Sequence, residues 1–350
     1  MLDVFDIMLR NASTGLFLFL AILVLRDYGL RLAAVLGFLS AMTAAMYTVC
    51  THSWYPCESQ IFSWVSMSFC IMGPIHIWLF SLSQFQDNFR LKKIHWSGVA
   101  LYTLLFILNY SSWQQPALAG FTLIGVIFAG LRLFFIVHMI YVAWQGREDD
   151  LIETRKRFRS TFIIMVGLYS TVIFIAETFY ATDQPLPPYI SLIQAGSFFT
   201  LALVILWYTT STKTGLLLIR QDNSPANLSK ANATEQHDLY AITESIKANN
   251  LYQESGLTIS VLAEKVGLPE HRLRRLINQH MGYRNFSEFL NQHRIKKAMT
   301  LLSNVDNRHD QILTIAMDLG YGSLGPFNRA FKAHTGKTPT EFRKSSLSAE

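Results

Sequence analysis

Few residues in this 350-residue chain combine a chemically useful type with a regular spacing, and the most regular of them are arginines. Leu262, Ala263 and Gly267 are followed by Leu273 and Arg275, six and eight residues past the glycine. Ile315, Ala316 and Gly320 are followed by Phe327 and Arg329, seven and nine residues past theirs. A guanidinium pointing outward from a helix meets phosphate oxygens or base edges, so the repeat suggests nucleic acid. A second group is Cys50 and Cys57 in CTHSWYPC, whose spacing closes a disulfide loop in an oxidising compartment. His52 and Glu58 beside them leave a redox or metal-binding role open as well. A third group comprises Arg132, Glu177, His76 and His138, set in apolar stretches where ionisable groups are costly unless paired or hydrated. Arg132 and Glu177 suggest a polar pocket or an ion pair; the two histidines suggest either a shared site or separate hydrogen bonds. Arg10 is expected to snorkel outward from the first apolar stretch.

The elements that must position these residues fall into two kinds. With 51% hydrophobic and only 15% charged residues, part of the chain belongs in lipid. Seven stretches approach the roughly 20 apolar residues that cross a bilayer. They are Ile7–Leu25, Leu32–Cys50, Ile61–Leu82, Ser97–Ser112, Ala117–Trp144, Thr161–Tyr180 and Pro187–Tyr208. Lys and Arg occur only in the odd-numbered connections, at Arg26 and Arg31, at Arg90, Lys92 and Lys93, and from Arg147 to Arg159. Cytoplasmic loops carry that excess, so the N-terminus is expected outside and the C-terminus in the cytoplasm. The expected fold is all-α: a seven-helix transmembrane bundle over residues 1–209, a linker over 210–236, and a soluble all-α domain over 237–345 with two helix-turn-helix motifs. In the linker, Leu216–Arg220 is expected to form a short helix at the membrane surface.

In each repeat the alanine lets two helices pack closely, the glycine takes the turn, and the apolar residue anchors the second helix. Asn285–Ser303 reads as one long helix between the two units, setting their spacing so that they enter successive major grooves about 34 Å apart. The stretches TISVLAEKVGLPEHRLRRLINQHMGYRNFSEFLNQHRIKKAMTLL and ILTIAMDLGYGSLGPFNRAFKAHTGKTPTEFR resemble the DNA-binding domain of AraC/XylS-type transcription regulators. The second carries an aromatic after the glycine, then Phe-x-Arg-x-Phe-Lys, Gly-x-Thr-Pro and a closing Arg. The resemblance implies a first recognition helix from Pro269 to His280, with His271, Arg274 and Arg275 facing the groove and Arg272 on phosphate. It implies a second from Leu324 to His334, with Leu324, Gly325, Asn328 and Arg329 at the corresponding positions. Gly325 and Pro326 offer little hydrogen bonding, so base reading there falls to Asn328 and Arg329, and the first helix carries more of the specificity. Lys332, Lys337 and Arg343 are expected on phosphate or simply exposed.

Together these readings describe a one-component transcription regulator in the bacterial inner membrane, coupling an unidentified outside or membrane signal to promoter DNA. The partners expected are double-stranded DNA, the lipid bilayer, a signal ligand, a second copy of the chain, and RNA polymerase. The competing reading is a transporter or channel with a DNA-binding regulatory tail. The spans contain no HExxH, no GxSxG, no paired catalytic carboxylates and, in the seventh, no lysine for a Schiff base. No enzyme activity, cofactor or metal ion is therefore expected.

Overall fold

A computed structural model of the chain describes residues 2–50, 60–86, 89–113, 123–179, 187–211 and 232–348, which are all-α with fourteen α-helices. Two compact units result: Met1–Arg147 with Arg157–Gln221, and Glu148–Lys156 with Asp222–Glu350. The second unit thus includes a short segment from far upstream in the sequence, which the expected domain boundaries assigned to the membrane half.

The first unit contains α1 (Leu2–Tyr28), α2 (Leu32–Cys50), α3 (Gln60–Phe85), α4 (Lys93–Trp113), α5 (Leu123–Gln145), α6 (Glu153–Phe179, less its first turn) and α7 (Pro188–Ser211). Among the described residues, five helices are long and apolar enough to cross a membrane: α1, α2, α3 from Trp64, α5, and α7 to Thr210. Helices α4 and α6, of 21 and 27 residues, cover the fourth and sixth expected stretches but are outside those five. Glu153, Arg155, Lys156, Arg157 and Arg159 crowd the start of α6.

Helix α2 packs between α1 and α3, α7 against α1, and α5 against α3 and α4. Small residues allow this closeness: Ala34 and Ala45 are fully buried, and a Cβ on Gly73 would lie 2.9 Å from the Thr43 methyl group. Arg10 corrects the sequence expectation. It is only 3% exposed, because Asp6 one turn earlier accepts from its Nε at 2.9 Å while Ser191 Oγ and Gln194 Oε1 each accept from Nη2 at 3.1 Å. With its charge met by a carboxylate and two polar side chains, the arginine has no need to reach outward. Arg159, 2% exposed, donates to the carbonyls of Phe85 (2.8 Å) and Val142 (3.2 Å). A cation satisfying carbonyls at the C-terminal ends of α3 and α5 ties these two helices to α6.

The second unit contains α8 (Ala233–Ala248), α9 (Ile259–Val266), α10 (Glu270–Gln279), α11 (Phe286–Ser303), α12 (Ile312–Asp318), α13 (Leu324–Thr335) and α14 (Pro339–Leu347). Helix α8 starts within the stretch expected to be linker, because Asn232 and Glu235 form a capping box there. The proposed surface helix Leu216–Arg220 lies outside the described residues. One apolar core unites the unit, with Leu262, Leu273, Leu276, Ile277, Phe286, Phe289, Phe327 and Phe331 essentially buried and Phe342 packed against it. Thr258, Asn285 and Thr338 cap α9, α11 and α14 by accepting from the backbone N–H three residues on.

Candidate DNA interface

Both helix-turn-helix units form as the repeat suggests. Helices α9 and α10 meet at Gly267 (φ +71°), and α12 and α13 at Gly320 (φ +83°), with Ala263 and Ala316 buried in the angle of each turn. The two glycines are not equivalent. A Cβ on Gly267 would meet nothing within 4 Å, whereas one on Gly320 would lie 2.5 Å from the Gln253 carbonyl oxygen and 2.8 Å from Arg294 Nη2.

On α10, Leu273, Leu276 and Ile277 face the core, and His271 and Arg275 face solvent. Arg272 and Arg274 occupy the flanks. Arg272 pairs with Asp238 of α8 at 2.5 Å, and Arg275 with Glu235 at 2.9 Å. Arg274, implied by family resemblance to face the groove, is 3% exposed in this arrangement. Its Nε and Nη2 donate to Glu270 Oε1 at 2.8 and 2.6 Å, and its Nη1 donates to the Asp150 carbonyl at 2.6 Å. The Ser260 hydroxyl, then Arg274 and Lys156, holds the Glu270 carboxyl below its usual range.

The Asp150 contact belongs to a docked segment. Asp149 accepts from the Phe286 N–H through its carbonyl (2.8 Å) and from the Ser287 hydroxyl through its carboxylate (2.9 Å). The Leu151 N–H donates to the Arg284 carbonyl at 3.0 Å, and a short antiparallel bridge joins Asp150 to Asn285. Leu151 is 2% exposed within the core of the second unit, and burying such a side chain contributes about 1.5–3 kcal/mol. Arg155 holds the Asp150 carboxylate at 3.2 Å, while Lys156 lies 3.8 Å from Glu270.

On α13, Gly325 and Arg329 are exposed, Leu324 and Asn328 are half-buried, and Phe327 points inward. A Cβ on Gly325 would stand 3.5 Å from Arg329 Nη1, so the guanidinium lies back along the first turn of the helix. Lys332 and Lys337 are exposed; Arg343 instead donates to the Asp310 carbonyl at 2.7 Å, supporting the approach to α12. Sequence reading missed Arg294. This buried residue of α11 donates to the Tyr252 (2.5 Å) and Glu254 (2.9 Å) carbonyls and lies 5.2 Å over the Tyr321 ring. It thereby links the turn after α8 to the turn of the second helix-turn-helix. Tyr321 donates to Asn291 Oδ1 at 2.7 Å, and burial pushes its hydroxyl up to about 12. It also missed the 149–156 segment, although the acidic run Glu148–Asp150 in an otherwise basic connection was a visible signal.

The remaining candidates lie in the first unit. His76 Nδ1 is 2.8 Å from the Thr43 hydroxyl, and the Trp78 indole donates to His138 Nδ1 at 3.0 Å, so each histidine has its own partner. Arg132 is half-buried in α5; Glu177 is in α6, its side chain outside the described residues. Cys57 also lies outside them, while Cys50 and Cys70, on α2 and α3, are free thiols that neighbour each other.

A family model described as a helix-turn-helix domain matches residues 262–345. Uncharacterized HTH-type transcriptional regulators of Staphylococcus aureus strains MSSA476 and N315 are each 34% identical over 93 residues, 27% of this chain and 12% of theirs. The chain therefore spans only a small part of those proteins. The probable transcription factor PqrA of Proteus vulgaris is 31% identical over 94 residues, 27% of this chain and 74% of PqrA. No solved structure matches the chain. Two helix-turn-helix units on one core, matched along most of a relative's length, establish that the chain belongs to the AraC-type helix-turn-helix transcription regulators.

Proposed function

We propose that the chain is a membrane-embedded one-component regulator, in which a bundle of apolar helices receives a signal and the second unit binds promoter DNA. The observation that carries this reading is the joining, in one chain, of five apolar helices to a domain with two helix-turn-helix units. Seven crossings, counting α4 and α6, agree with the alternation of basic and uncharged connections and leave the C-terminal unit in the cytoplasm of a bacterium. In this reading His271, Arg274 and Arg275 on α10, with Leu324, Gly325, Asn328 and Arg329 on α13, meet successive major grooves. Arg272 meets phosphate. A lipid-soluble or outside ligand, a second copy and RNA polymerase are the further partners.

The test is selection from random double-stranded DNA by the full chain in lipid nanodiscs. The expected result is a two-part site whose affinity falls steeply with salt, because neutralising each phosphate releases counterions. Retention of DNA without sequence preference, or no retention, would refute the reading.

A further inference from the structure

We infer that Glu148–Lys156 is an internal competitor of DNA for the first recognition helix; this rests on the reading of α10 as a DNA reader. Two kinds of donor favoured by nucleic acid, a guanidinium and the N-terminus of a long helix, converge at this place. The guanidinium is Arg274, and the helix is the 18-residue α11. Both are occupied by the segment: Arg274 by the Asp150 carbonyl, and the first turn of α11 by the carbonyl and carboxylate of Asp149. The same three donors cannot serve Asp149–Asp150 and a DNA strand together.

The segment is held as a latch rather than as a chance contact. Leu151 is seated in the core, its N–H is bonded to Arg284, and Arg155 and Lys156 tie down Asp150 and Glu270. Sequence continuity supplies the input, since the segment is the short connection between the end of α5 and the first turn of α6. With the segment docked, Arg274 Nη1, the Phe286 N–H and the Ser287 hydroxyl are all taken; with it released, these three donors become available together, while Glu270 still holds Nε and Nη2. A signal that repositions α5 against α6 thus changes DNA affinity without any ligand touching the DNA-binding unit.

The experiment uses the full chain in nanodiscs with Cys50, Cys57 and Cys70 replaced by serine, carrying Asp150→Cys and Asn285→Cys at the two bridged positions. Disulfide formation is followed by mass spectrometry, and affinity for the selected DNA is measured in the oxidised and reduced states of one preparation. Locking is expected to weaken binding at least about tenfold, the effect of losing one good base contact, and reduction to restore it. In a second variant, Leu151→Asp, binding is expected to strengthen by a similar factor. Equal affinity of the locked and reduced forms, with DNA still selected, overturns the competition alone. Failure of every form to select DNA overturns it together with the reading of α10.

Discussion

Replacing each turn glycine by alanine should separate two costs that the repeat makes look identical. Both residues have positive φ, a conformation that costs a residue with a Cβ about 1–2 kcal/mol. At Gly267 nothing else opposes the new methyl group, and alanine also restricts the unfolded chain, so Gly267→Ala is expected to cost about 1 kcal/mol. At Gly320 the added Cβ would sit 2.5 Å from a backbone oxygen, where real contacts do not fall below 3.0 Å. Either the Gln253 backbone or the turn must shift. Arg294, whose hydrogen bonds to Tyr252 and Glu254 hold that backbone, loses at least one bond of the charged kind, about 1.5–3 kcal/mol. Gly320→Ala is therefore expected to cost about 3–5 kcal/mol in all. Hydrogen exchange of the α12 and α13 amides in the full chain measures it directly: protection should fall far more in Gly320→Ala than in Gly267→Ala. Equal loss in the two variants would refute the claim that close approach, and not φ alone, requires the second glycine.

Arg275→Ala and Arg329→Ala should each weaken binding to the selected DNA by about 1–3 kcal/mol and relax preference at one base position, read by competition with single-base variants. A uniform loss across all sequences would mark that arginine as a phosphate contact. His293, packed against Tyr252 and Phe289, is pushed below its usual value by burial and then by Lys296 and Lys247. The fold favours its neutral form, so its contribution is complete above about pH 6.5 and lost as pH falls below that value. Urea unfolding of the second unit, followed by hydrogen exchange, should show this loss, and His293→Gln should remove it. Cys50 has two candidate partners, Cys57 from the sequence spacing and Cys70 from the structure. Mild oxidation followed by non-reducing peptide mapping should yield the Cys50–Cys70 link in the Cys57→Ser variant, and its absence would refute the contact between α2 and α3 at that level.

The parts legible in the sequence were those governed by local rules. Ala263 with Gly267 and Ala316 with Gly320 announced two turns because close helix packing and positive φ each restrict residue type. Leu273 and Phe327 announced core positions through their place in the repeat. Arg274 and Arg294 were not legible in this way. Arginine on a helix is ordinarily a surface residue; Glu270, one turn before Arg274, was visible, but the backbone carbonyls of Asp150, Tyr252 and Glu254 that also accept from these two leave no side-chain pattern. Arg10 failed similarly: Asp6 was visible one turn away, but Ser191 and Gln194 are far along the chain. The start of α8 was hidden in a polar stretch because Asn and Glu serve linkers and capping boxes alike.

Glu235 performs two duties at once. One carboxylate oxygen accepts from the Asn232 N–H at 3.2 Å and so fixes where α8 begins; the other holds Arg275 at 2.9 Å. The start of the helix and the availability of the Arg275 guanidinium therefore share one side chain, and thermodynamic reciprocity follows. If fraying or extending α8 at Asn232 changes the affinity of Arg275 for DNA by some factor, DNA must change the helix-start equilibrium by that same factor. A bound promoter would then be felt upstream in the chain as firmly as the chain is felt at the promoter.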